Sequence, residues 1–167
     1  MTLVAIDTSV LIGLVDARDV WHSAALQLQT ALSAAQVAPV HFDCTVAEAL
    51  STLARRLREQ RRAQELPGLF ARIEATLPAE QLTWLFPDVP RLYGQVIELM
   101  RTSDGELNFN DALIALACRE RQIRLLASFD PDFDRLPWLI RVATPAEVAA
   151  ASPPTPESDL PASPENA

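Results

Sequence analysis

Four acidic residues, Asp7, Glu48, Asp111 and Asp130, each stand where a short apolar run hands over to a helix or a turn. Asp7 ends Leu3-Val4-Ala5-Ile6, and Glu48 lies at the start of a helix that follows Val40-His41-Phe42. Asp111 is near the start of a very apolar helix, and Asp130 follows Arg124-Leu125-Leu126-Ala127. In open α/β sheets, ligands bind just outside the carboxyl ends of the strands, so these acids would arrive at one edge. Gathered carboxylates repel and do not all stay ionised without cations. Oxygen-only ligands select hard ions such as Mg²⁺ or Mn²⁺ over zinc. Two such ions about 4 Å apart would activate water and stabilise the leaving oxygen of a phosphodiester. The chemistry indicated is metal-dependent phosphoryl transfer.

Each acid taken alone also has a simpler role. Thr8 or Ser9 can cap the helix after Asp7, and Thr45-x-x-Glu48 has the form of a capping box. Asn108 is a good N-cap with Asp111 three residues on, where a carboxylate suits the positive helix end. Asp130 precedes Pro131, an ordinary start for a turn. A calcium loop over Asp130-x-Asp132-x-Asp134 fails, because Arg135 stands where Gly is needed and Arg141 where Glu is needed. Asp132 and Asp134 are therefore read as solvated. What the simpler roles leave unexplained is the shared position of all four acids.

The elements that must position them alternate between strand and helix. Strands are expected at 3–6, 40–42, 82–86, 124–127 and 139–142, where apolar and β-branched runs are bounded by Pro, Asp or Ser. Helices are expected at 10–15, 21–35, 45–62, 69–77, 90–100 and 108–121, several with apolar residues at three-and-four spacing. Pro67-Gly68 reads as a break, and Ser103-Asp104-Gly105 as a turn. The alternation predicts an α/β domain with a mainly parallel central sheet flanked by helices.

The chain has 167 residues, 49% of them apolar, enough for one domain with its own core. A body of residues 1–147 is expected, followed over 148–167 by a disordered tail rich in Pro, Ser and acids. No membrane span and no secretory signal are expected, since Asp7 interrupts the first apolar run. Cys44 and Cys118 read as buried, reduced thiols, consistent with a cytoplasmic protein. All 14 basic residues are arginine. That excludes a Walker-type phosphate loop and a Schiff base, both of which need lysine. It also speaks against a receiver domain, while Ser9 in place of a second Asp speaks against a dehalogenase-type phosphatase. The formal charge of -8 argues against a general nucleic-acid-coating protein.

The segments Ile6-Asp7-Thr8-Ser9-Val10-Leu11-Ile12, Thr45-Val46-Ala47-Glu48-Ala49-Leu50, Asn110-Asp111-Ala112-Leu113-Ile114-Ala115 and Ser128-Phe129-Asp130-Pro131-Asp132-Phe133-Asp134 resemble, in order and spacing, the PIN-domain nucleases. Within them they are most similar to the VapC-like toxins of bacterial toxin–antitoxin pairs. The resemblance runs from about Leu3 to Thr144. It implies a single PIN-like domain, Mg²⁺ or Mn²⁺ held by Asp7, Glu48, Asp111 and Asp130, and cleavage of single-stranded RNA. It further implies that Thr8, Ser9 and Ser128 support the acids, that the protein forms homodimers, and that a small antitoxin covers the site. The extra tail and the acidity depart from the typical toxin. A housekeeping PIN nuclease without an antitoxin, or a catalytically silent PIN-like binding protein, are the alternatives.

Arg55, Arg56, Arg58, Arg61 and Arg62 form one dense basic patch. They are candidates for phosphate contact, or else a solvated helix end that suits the negative pole. His22 and His41 lack metal-ligand spacing. Trp21, Trp84 and Trp138 are read as core or interface residues and not as platforms for bases.

Overall fold

The computed structural model describes residues 2–151. Four short strands, β1 (Leu3–Ile6), β2 (Ala38–Val40), β3 (Leu125–Ala127) and β4 (Ile140–Val142), form one sheet in the order β2-β1-β3-β4. Every pairing is parallel: Leu3 faces Ala38, Ile6 faces Ala127, and Ala127 faces Val142. Around the sheet lie α1 (Thr8–Val15), α2 (His22–Ala34), α3 (Asp43–Glu59), α4 (Leu66–Thr76), α5 (Val89–Thr102), α6 (Phe109–Glu120) and α7 (Pro145–Ala151). The protein is a single α/β domain whose parallel sheet is flanked by helices on both faces, as parallel sheets require.

The alternation of side chains along β1 builds the two layers. Val4 and Ile6 point into a core with α1, α2, α3, α4 and α7. Ala5 points the other way, into a second core with α5 and α6. Leu126 on β3 joins that second core, whereas Leu125 and Ala127 join the first. From β1 the chain goes first to β2 on one side and later to β3 on the other. The gap between β1 and β3 is thus a topological switch point, where such sheets bind ligands.

Several boundaries differ from the sequence reading. β2 lies at Ala38–Val40, two residues before the expected 40–42. The expected strand at 82–86 is absent: only Thr83 bridges to Phe42, and Phe86–Asp88 turns as a 3₁₀ helix. The buried Asp43 carboxylate explains this, since it captures the amides of Leu85 at 2.8 Å and Phe86 at 3.0 Å. Those amides are then unavailable to a neighbouring strand. Pro67-Gly68 does not break the chain but lies in the first turn of α4, where the missing proline N–H has no helical partner to lose. The helix expected to reach Arg62 ends at Glu59, with Arg61 in the left-handed region at φ 57. α7 runs to Ala151 with Val148 buried against the sheet, so the folded part passes the expected boundary at 147. The remainder of the expected tail lies outside the described residues. Cys44 and Cys118 are buried and unpaired by disulfide, and burial pushes both thiols up to about 12.

Arg62 closes the end of the first core. Its guanidinium donates to both Asp16 oxygens, at 2.7 and 3.1 Å, and to both Glu65 oxygens, at 2.8 and 3.1 Å. Asp16 caps α1, so this clamp joins α1 to the exit of α3. The Arg62 hydrogen bonds hold the Asp16 carboxyl below its usual 3.8. A depressed acid stabilises the fold above its unfolded pKa, and that contribution is lost as pH falls through the folded value. Replacing Arg62 with Ala is expected to cost roughly 2 kcal/mol at pH 7, between exposed and buried pairs. In urea titrations between pH 2 and pH 7, the variant should also lose the part of the acid-side fall that Asp16 supplies. A variant as stable as wild type would show that the clamp is decorative.

Candidate active site

The two central strands end side by side, with the amide of Asp7 donating to the carbonyl of Ala127 at 3.0 Å. Asp7 and Ser128, the next residue on each strand, are therefore neighbours. Ser128 Oγ donates to Asp7 Oδ2 at 2.8 Å, and Ser9 Oγ donates to the same oxygen at 2.7 Å. Each hydroxyl also accepts a backbone amide, Ser128 from Asp130 at 3.0 Å and Ser9 from Phe129 at 3.1 Å. One small network thereby fixes Asp7 and the loop carrying Asp130. Asp7 is itself the N-cap of α1 and accepts the amide of Ser9, the role that Thr8 or Ser9 was expected to fill.

Glu48 does not cap its helix. α3 begins at Asp43, so Thr45 sits inside the first turn and the expected capping box is absent. Freed from that role, Glu48 Oε2 accepts Thr8 Oγ1 at 3.0 Å and the Asn110 side-chain amide at 3.3 Å. Three elements, α1, α3 and α6, meet at that carboxylate. Asp111 does make the capping box, with Oδ2 accepting the Asn108 amide at 2.8 Å. Asp130 likewise caps the 3₁₀ turn that Pro131 opens, with Oδ1 accepting the Asp132 amide at 2.9 Å.

The capping roles and the shared edge are compatible, because each carboxylate has two oxygens. Among the described residues, the hydrogen bonds fall on Asp7 Oδ2, Glu48 Oε2, Asp111 Oδ2 and Asp130 Oδ1. The other oxygen of each has no protein donor. Nor does any arginine form an ion pair with these four acids among the described residues; the nearby Arg141 is engaged by Asp134 at 2.8 Å. Asp7 and Asp111 are buried. Burial is the largest cause and, partly opposed by the hydrogen bond from the Asn108 amide, acts with the smaller contributions of the Asp7, Glu48 and Asp130 charges to push the Asp111 carboxyl up to about 7. The charges of Asp7, Glu48 and Asp130 thus reach Asp111 across the switch point.

The donor set is made of hard oxygens alone, which suits Mg²⁺ or Mn²⁺. Among the described residues no three acidic, histidine or cysteine side chains close into a ready-made ion cage. A loose ring is no obstacle for Mg²⁺, which keeps several of its waters and takes only one or two carboxylates directly.

The arginine patch is divided by the structure. Arg62 is spent in its clamp, Arg56 pairs with Asp19 at 3.0 Å, and Arg55 lies 4.0 Å from Glu59. Arg58 and Arg61 are exposed. By helix rise, Arg55 lies about 10 Å and Arg58 about 15 Å beyond Glu48 along α3. The patch therefore flanks the acids at a distance. His22 Nδ1 lies 2.7 Å from the Gly13 carbonyl, a structural contact between α1 and α2. Trp138 packs in the second core under Arg119, whereas Trp84 and Trp21 are exposed.

Sequence reasoning passed over Asn110 as part of the site and Asp43 as a determinant of the fold. Asn110 was visible beside Asp111, and an amide next to a helix-start acid is a signal for a bond across to another element. Asp43 gave no signal, because its partners at Leu85 and Phe86 are distant in sequence.

The sequence matches the family model of the PIN domain over residues 4–139, which spans all four acids, and the chain belongs to that family. Among solved structures it is similar to the VapC20 protein of Mycobacterium tuberculosis, described as a sarcin-ricin loop cleaving toxin. The two share 22% identity with a TM-score of 0.59, over 78% of this chain and 92% of that one. No curated protein matches the chain significantly.

In protein stripped of divalent ions, Asp111 should hold its proton to about pH 7, whereas its unfolded value is 3.8. The native state then binds the extra proton, so stability should fall as pH rises between those values and level off above. Asp111→Asn should remove that slope in denaturant titrations with EDTA. An unchanged slope would mean that Asp111 is ionised in the ion-free protein.

Proposed function

We propose that this protein is an endoribonuclease that depends on Mg²⁺ or Mn²⁺ and serves as the toxin of a VapBC-type toxin–antitoxin pair. The observation that carries this reading is four carboxylates at the carboxyl end of the sheet, each braced through one oxygen with no protein donor on the other among the described residues, and none paired with an arginine. Membership of the PIN family and the likeness to VapC20 support it. The proposed partners are an RNA substrate, a second copy of the chain and a small antitoxin, and the proposed place of action is the cytoplasm. No helix among the described residues is long and apolar enough to cross a membrane.

In this reading Asp7, Glu48, Asp111 and Asp130 are the metal ligands and catalytic acids. A divalent ion there supplies the positive charge that acidifies water and stabilises the leaving oxygen. Ser9 and Ser128 keep Asp7 in one rotamer, and Thr8 and Asn110 do the same for Glu48. With a divalent ion bound there, Asp111 would be held as its carboxylate. Water oxygen bonds to phosphorus in line as the bond from phosphorus to the 3′ oxygen breaks. The water's proton passes to solvent or a carboxylate, and the 3′ oxygen takes one up, leaving 5′-phosphate and 3′-hydroxyl ends. Arg55, Arg56, Arg58 and Arg61 flank the path as phosphate contacts.

The test is cleavage of labelled single-stranded RNA with Mg²⁺, with Mn²⁺ and with EDTA. Cutting should require the ion, and Asp7→Asn should lower it by at least about 100-fold while the fold survives. Ser128→Ala, which removes only a brace, should cost about 10- to 100-fold. Cleavage that persists in EDTA, or in Asp7→Asn at the wild-type rate, would place the chemistry elsewhere. Copurification of a small protein that blocks cleavage would support the toxin role over a nuclease without an antitoxin.

A further inference from the structure

An aromatic pair is anchored in the loop that joins Ser128 to Asp130. Trp21 stacks on Phe129 with ring centroids 4.7 Å apart and planes 13° from parallel. Phe129 lies between Ser128, which braces Asp7, and Asp130, and its own amide is held by Ser9. One face of the indole is thus covered, yet Trp21 remains 46% exposed and its neighbour Val20 87%. Large apolar groups held out in water at the rim of a charged site point to a ligand with an apolar face of its own.

The indole is also held in place. The stack on Phe129 orients the ring, while the Trp21 backbone amide donates to Asp19 at 2.9 Å, and Asp19 is gripped by Arg56 at 3.0 Å. Behind it α1 and α2 pack so closely that a Cβ on Gly13 would lie 2.9 Å from Ala25 Cβ and 3.3 Å from the Trp21 carbonyl. A ring already ordered loses little entropy when a second ring stacks on it. Beside it, Arg18, Val20, Arg55 and Arg56 line a shallow cleft, with Arg18 also pairing with Glu65. Asp16, Asp19 and Glu59 line the same cleft, and Arg56 and Arg55 lie against Asp19 and Glu59, so binding at the indole depends on its apolar face and not on free cations.

We propose that Trp21, backed by Phe129, is a stacking shelf for one unpaired base of single-stranded RNA, next to the phosphate presented to the acids. The assignment rests on the nuclease reading and adds to it a subsite. An unpaired base has two open π faces, and stacking on an aromatic side chain favours single strands with little regard to sequence. The shelf selects for a strand that is open at that nucleotide, and Trp21 is a substrate-binding residue.

Steady-state cleavage of a single-stranded oligoribonucleotide with Mn²⁺ tests this in wild type, Trp21→Ala, Trp21→Phe and the exposed control Trp84→Ala. Trp21→Ala should raise KM about tenfold, within the usual range for one stacked base, with kcat changed less than threefold. Trp21→Phe should keep most of the affinity, and Trp84→Ala should match wild type. An abasic nucleotide is then placed in turn at each position near the cut. One position should cost wild type about tenfold, and that same position should cost Trp21→Ala nothing further. A merely structural role for Trp21 would not couple to one nucleotide.

Equal abasic penalties in wild type and Trp21→Ala, or no abasic penalty in wild type at any position, would overturn the shelf while leaving the nuclease standing. Normal RNA kinetics with a shifted oligomeric state in gel filtration would make Trp21 part of a protein interface instead. A wild type that cuts no RNA with either ion would remove the nuclease reading and the shelf with it.

Discussion

Asp111 is buried at the carboxyl end of the sheet within reach of the charges of Asp7, Glu48 and Asp130, and burial together with those charges pushes its carboxyl up to about 7. Left to itself, such a group of acids would swing apart into solvent. What prevents it is a separate local bond on each carboxylate: hydroxyls for Asp7, a hydroxyl and an amide for Glu48, and backbone amides for Asp111 and Asp130. None of these bonds neutralises charge. They fix position without supplying positive charge, the arrangement that the proposed cation would complete.

The fold supplies that arrangement from short pieces. β1 and β3 have four and three residues, barely a strand each. Their parallel register nonetheless makes Asp7 and Ser128 neighbours, and a slip of one residue would turn Asp7 away from Ser128 and put Ile6 in the wrong core. The register is secured by burial on both faces, since α3 and α6 press on the sheet from opposite cores. The helices that bring Glu48 and Asp111 to the edge thus also hold the strands that bring Asp7 and the Asp130 loop.

How far the sequence reveals this depends on whether a feature is local. β1, β3 and α6 are legible because apolar runs and caps act within a few residues, and Asn108 with Asp111 forms the capping box its spacing predicts. The strand expected at 82–86 fails because Asp43, some forty residues earlier, competes for the amides a strand would need. The capping box offered as the simpler role of Glu48 is absent because α3 starts at Asp43, earlier than the Thr45 that the pattern indicated. The Arg62 clamp to Asp16 and the stacking of Trp21 on Phe129 join residues far apart in the chain, and composition carries no trace of either. Residue types at the site were readable; their bracing was partly so, and the aromatic rim was not.

Charge sets a last constraint on how a strand of RNA could be held, on the proposed reading. The formal charge is -8, so the long-range field of the whole chain opposes a polyanion. Many of the arginines that might offset it are committed: Arg62 to Asp16, Arg56 to Asp19, Arg91 to Glu120, Arg121 to Asp88 and Arg141 to Asp134. Proteins that hold nucleic acid through many phosphate contacts need a basic face, and this one has only a few free guanidinium groups beside its site. Affinity must then come from short-range terms: cations that cancel the four acids and bridge to the scissile phosphate, and apolar contact with a base. Such binding depends less steeply on salt than binding through a basic surface. It also places selectivity in what the strand presents at the ring and the aromatic rim, and not in the charge it carries elsewhere.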